Sequence, residues 1–131
     1  TSGIISSKIT ETPGASKFFL GGVVAYNNIL KKRILKVNEK TLKKYGTVSK
    51  EVALEMAKGV KIITGSDISI ATTGYSGPDG GSKNKPVGLI YIAIVFKKQA
   101  VVKKINLIPI RNIHKEVAAN IALNFLRKIL K

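Results

Sequence analysis

Apolar and polar positions divide the 131-residue chain into helix-like and strand-like stretches separated by short breaks. Ile4, Ile5 and Ile9 share one side of a short helix over Ser2–Thr10, which Pro13-Gly14 ends. Phe18–Tyr26 is apolar and rich in glycine and valine, which predicts a buried strand. Asn27 or Asn28 can cap a basic helix running to Leu35, and Asn38–Tyr45 predicts another short helix closed by Gly46. Ser49 caps the clearest helix, in which Val52, Met56, Val60 and Ile63 recur at helical spacing before Gly65. Asp67–Thr73 alternates as a strand does, and Gly74–Lys85 is a glycine-rich loop. Pro86–Phe96 and Ala100–Pro109, joined by Lys97-Lys98-Gln99, predict a hairpin. A last helix spans Asn112–Leu130, with Ile113, Val117, Ile121, Phe125 and Ile129 on one stripe. This order predicts one α/β domain over residues 1–131, a three-layer α/β/α sandwich. Its sheet is expected to be mixed, mostly parallel with one antiparallel strand.

Composition narrows the chemistry. A hydrophobic content of 44% excludes a disordered tail. Without cysteine there are no disulfides or thiolate metal sites, and His114, the only histidine, cannot form a multi-histidine zinc site. No metal and no cofactor are expected. The longest apolar run, Val87–Phe96, falls short of the ~20 residues a membrane helix needs, so a cytoplasmic protein is expected. The net charge of +16 would suit an anionic partner. However, only Arg33, Arg111 and Arg127 of the 23 basic residues are arginine, and few aromatics interleave with them. Nucleic-acid readers favour arginine forks and stacking aromatics. The charge is therefore read as mainly compositional, with a phosphate-bearing small molecule next in line and no specific nucleic acid.

Three segments could carry chemistry. Tyr26-Asn27-Asn28-Ile29-Leu30-Lys31 joins a predicted strand to a helix, and Lys31 lies in the first helical turn beside Lys32 and Arg33. The dipole's positive end and the neighbouring cations disfavour an ammonium and lower its pKa. A neutral lysine can act as a base toward a hydroxyl, although a solvated lysine on a basic helix is the plainer reading. The loop from Thr73-Gly74 to Gly81 follows a strand, where open α/β sheets bind ligands. Its glycines let N–H groups approach a phosphate or a developing oxyanion, yet Pro78-Asp79-Gly80 is equally an ordinary turn. Thr1-Ser2-Gly3 opens a helix, either as an anion site or as a plain cap. His114 falls in the first turn of the last helix, where a polar first-turn role outweighs a catalytic one.

Taken together and in order, these segments resemble the C-terminal domain of the competence/damage-inducible CinA proteins, a family that includes nicotinamide-nucleotide amidases. Thr1-Ser2-Gly3 is similar to the end of a Glu-Ser-Cys-Thr-Gly-Gly motif, with Ser2 in place of a glycine. Thr10 to Ser16 and Phe18–Gly22 resemble the Pro-Gly-Ser-Ser segment and its strand, and Tyr26–Lys31 resembles Tyr-Ser-Asn-Glu-Ala-Lys. Tyr45 to Ser49, Thr73 to Gly81 and Lys85-Pro86-Val87-Gly88 complete the series, although Tyr75-Ser76 stands where Ile-Ala is usual.

The resemblance implies hydrolysis of nicotinamide mononucleotide to nicotinate mononucleotide and ammonia. It makes Lys31 the base and Tyr26 its aid, and it gives Thr1, Gly3, Thr73, Gly74, Gly77 and Arg111 to the nucleotide site. The serine nucleophile would lie two residues before Thr1, so the chain alone is expected to be inactive. A further helix and strand would precede Thr1, the strand entering the sheet between the counterparts of Phe18–Tyr26 and Asp67–Thr73. A homo-oligomer is expected. Two other readings stay open: a non-catalytic interaction domain of the same fold, and a basic nucleic-acid binder.

Overall fold

In the computed structural model, which describes residues 1–131, the chain runs through α1 (Ile4–Thr10), a 3-10 turn (Ala15–Lys17), α2 (Asn28–Arg33), α3 (Glu39–Tyr45) and α4 (Lys50–Thr64). Strands β1 (Ile68–Gly74), β2 (Leu89–Phe96) and β3 (Gln99–Asn106) follow, and α5 (Arg111–Ile129) ends the order. The helix starts have local causes. Asn27, Asn38 and Ser49 hold extended backbone, and their side-chain oxygens accept from the N–H groups of Ile29, Lys40 and Val52. Each thereby satisfies a donor that the first turn leaves orphaned. The buried Ser49 hydroxyl also donates to the Gly46 carbonyl at 2.9 Å. Ser49→Ala should therefore cost about 1 kcal/mol in urea denaturation, and an unchanged midpoint would contradict the cap.

The sheet corrects the expected topology. Its order is β1-β2-β3 and both pairings are antiparallel, Ala71 facing Ala93 and Ala93 facing Val102. The expectation of a mostly parallel sheet is wrong for two reasons. Parallel neighbours need a crossover, usually a helix, whereas β1 returns to β2 through a loop that contains none. The segment Phe18–Tyr26, expected as a parallel member, joins no ladder, and the N–H groups from Leu20 to Tyr26 donate to nothing in the chain. Phe18, Leu20, Val24 and Tyr26 lie exposed, while Val23 and Ala25 pack inward.

Helices cover both sheet faces. On one, Val52, Ala53, Met56 and Ala57 of α4 meet Ala71, Ala93 and Val95, with Ala25, Leu35 and Val37 completing the cluster. On the other, Ile5 of α1 and Ala118, Ala119 and Ala122 of α5 meet Ile90 and Ile92. The expected large-residue stripe of the last helix holds in part: Ile121 and Phe125 pack against this cluster, but the fully buried positions are the three alanines, and Ile113 and Val117 are left exposed, at 48% and 36%. The open edge of β3 carries the exposed Lys103 and Lys104, charges that discourage pairing with another chain. No helix is long and apolar enough to cross a membrane.

Candidate functional site

Tyr26 to Lys31 turns from extended chain into α2, and the turn buries the lysine. Lys31 is 5% exposed, and its Nζ donates to the carbonyls of Ala25 at 2.9 Å and Tyr26 at 3.2 Å. Burial lowers its pKa from the ordinary lysine value. Two carbonyl acceptors suit a neutral amine as well as an ammonium. The –NH2 form keeps two N–H donors for them and holds its lone pair free for a third partner.

The tyrosine of the same segment faces a different group. Tyr26 is exposed, and its hydroxyl accepts from Nη2 of Arg111, whose Nη1 donates to the Gly77 carbonyl at 2.9 Å. Arg111 thus ties the glycine loop to Tyr26. It opens α5, whose first turn has no side-chain cap, so the helix dipole adds positive potential there. The N–H groups of Ser76, Gly77, Asp79, Gly80 and Gly81 bond to nothing in the chain. Gly77, Gly80 and Gly81 hold φ near +85°, a conformation open to glycine at little cost. Unpaired donors beside a guanidinium and a helix N-terminus can receive an anion.

The remaining expected residues divide. The Thr1 hydroxyl lies 3.2 Å from that of Thr72 on β1. Gly3 precedes α1 at φ +90°, and a Cβ there would lie 3.5 Å from the Val24 side chain. Ser2, in place of the motif's glycine, still holds φ +50°, so the backbone turn is kept despite the ~1–2 kcal/mol that a left-handed residue costs. Gly74 ends β1 where a Cβ would come 2.8 Å from the Leu89 carbonyl oxygen. Thr73 is not aimed at this cluster: its buried hydroxyl donates to the Thr47 carbonyl at 2.8 Å.

Two residues were not singled out for the site from sequence. They are Ser76 and His114, 2.8 Å apart and far apart in sequence. His114, in the first turn of α5, is buried at 2% exposed, and burial pushes its imidazole below the usual histidine range.

An α/β domain with a buried lysine at a strand-like turn and a cationic, glycine-lined loop is the class of structure in hand. The chain belongs to the CinA C-terminal domain family, whose model matches residues 1–130. It is similar to a CinA-like protein of Thermotoga maritima, 47% identical over 131 residues, all of this chain and 32% of that protein. A putative competence-damage inducible protein of Desulforudis audaxviator is 39% identical over 130 residues, 99% of this chain and 32% of that one. The chain thus spans about a third of the length of these relatives. Among solved structures, the competence/damage inducible protein CihA of Agrobacterium tumefaciens superposes with a TM-score of 0.95 at 31% identity, covering 99% of this chain and 80% of that one. A CinA superfamily protein of Escherichia coli gives 0.94 at 31% identity, covering 98% and 74%.

Proposed function

We propose that this domain is the catalytic part of an amidase that converts nicotinamide mononucleotide and water to nicotinate mononucleotide and ammonia. The observation that carries the reading is Lys31, buried, with its pKa lowered and two carbonyls positioned to hold the neutral amine. A base of this kind takes the proton of a serine hydroxyl as that oxygen attacks the carboxamide carbon. By the family motif this serine stands before Thr1. The C–N bond breaks, the proton leaves with ammonia, and water then hydrolyses the acyl ester to the carboxylate. The free N–H groups of the loop and the Arg111 guanidinium supply the donors and the charge that a nucleotide phosphate needs.

The test is turnover by the full-length protein. Nicotinamide mononucleotide should yield ammonia and nicotinate mononucleotide in equal amounts, and nicotinamide riboside, which lacks the phosphate, should react far more slowly. Equal rates on both compounds would remove the phosphate from the account. Failure of both would leave the non-catalytic interaction domain.

A further inference from the structure

Both ring nitrogens of His114 have partners, and together they fix its tautomer. Nε2 lies 3.1 Å from the Gly88 carbonyl oxygen, which can only accept, so Nε2 carries the hydrogen. In the neutral ring Nδ1 is then an acceptor, and the Ser76 hydroxyl, 2.8 Å away, must donate to it. The anchor is rigid. Gly88 holds φ +97°, a Cβ there would come 2.2 Å from the Leu107 carbonyl oxygen, and the Gly88 carbonyl also accepts from Leu107 N–H.

Three consecutive loop residues are therefore pinned in three ways. Tyr75 exchanges backbone hydrogen bonds with β2, its N–H going to Leu89 and its carbonyl accepting from Gly88. Ser76 is held by His114, and Gly77 by Arg111. Arg111 and His114 stand three residues apart in the first turn of α5 and so share a helix face. The N–H groups of Asp79, Gly80 and Gly81, just beyond, are free.

We propose that His114 is a positioning residue: through Ser76 it holds the Gly74–Gly81 loop in the conformation that presents its unpaired N–H groups to the ligand's anionic part. The inference rests on the loop being the nucleotide-binding loop of the proposed amidase. Ser76 stands where the resembled motif has an alanine; it is partly buried, and the buried His114 answers its hydroxyl.

The experiment compares the full-length wild type with Ser76→Ala, His114→Leu and the double variant. Each single change strands a polar group and should destabilise the protein. The double change removes both partners, so thermal stability should return toward wild type. Positioning should not return with it. In the ligand-free double variant, amide hydrogen exchange at Tyr75 and Gly88 should speed up by about tenfold, the scale of one lost hydrogen bond. With nicotinamide mononucleotide, KM should rise by a similar factor while kcat changes little. Wild-type exchange at those amides would overturn the proposal, as would an unchanged KM in a protein that turns the nucleotide over. If the wild type leaves the nucleotide intact, the amidase reading fails, and the exchange rates still decide the role of His114.

Discussion

Lys31→Met in the full-length protein is expected to lower ammonia release from nicotinamide mononucleotide by at least the ~100-fold typical of a lost general base. Lys32→Ala should be mild, because Lys32 is partly exposed and its nearest acid, Glu39, is 3.8 Å away. Both changes remove one positive charge, so the contrast separates a specific base from bulk potential. Methionine keeps the apolar stem but leaves the Ala25 and Tyr26 carbonyls without their donor, so some stability will be lost. Lys31→Arg completes the set, since it restores donors but cannot lose its proton. It should stay inactive even where its melting temperature exceeds that of the methionine variant. Comparable losses for Lys31→Met and Lys32→Ala would show that the local field matters and the buried amine does not.

Gly88→Ala should produce the largest loss of stability in the molecule's turns. Two effects add there: a left-handed φ of +97° and a Cβ 2.2 Å from the Leu107 carbonyl oxygen. The first costs about 1–2 kcal/mol and the second at least as much, because backbone cannot rotate away as a side chain can. A loss of about 3 kcal/mol or more is therefore expected from urea denaturation. Gly14→Ala is the control: φ is +81° but nothing lies within 4 Å of the added carbon, so only the conformational part should appear. Equal losses at the two sites would mean that the close approach of Gly88 to Leu107 is not a constraint.

The local elements were legible from sequence because their causes are local. Asn38 and Ser49 cap the helices they announce, and Gly46 and Gly65 close them. The hairpin followed from two apolar runs around a basic turn, and Lys97, at φ +50°, makes that turn. The sheet's sense was not legible. Phe18–Tyr26 carries the composition of a buried strand, but strand identity requires a partner in hydrogen-bonding register, and composition does not report one. The face of α5 was read only in part, for a related reason: Ile121 and Phe125 do pack inward, but the alanines beside them were overlooked. Bulky residues dominate a periodicity count, whereas close helix–sheet contact selects Ala118, Ala119 and Ala122.

At the site, Lys31 and Tyr26 were singled out from one strand-to-helix segment and Arg111 from the family resemblance alone; the bond from Arg111 to Tyr26 spans 85 positions, and no pattern in the sequence announces it. The Ser76–His114 pair was missed on the same ground, since each residue alone has an ordinary explanation and only the fold brings them to 2.8 Å.

The central claim is that the Lys31 amine is a base poised by burial, and its own titration tests this most directly. Burial lowers its pKa below the free-lysine value of 10.5, so the neutral, proton-accepting fraction grows as pH rises through that lowered value. An NMR titration of the Lys31 side chain should show it losing its proton before the exposed lysines. The pH profile of kcat/KM for nicotinamide mononucleotide should rise through the same midpoint, and that limb should vanish in Lys31→Met. Titration together with the exposed lysines, or a rising limb that survives in Lys31→Met, would contradict the account.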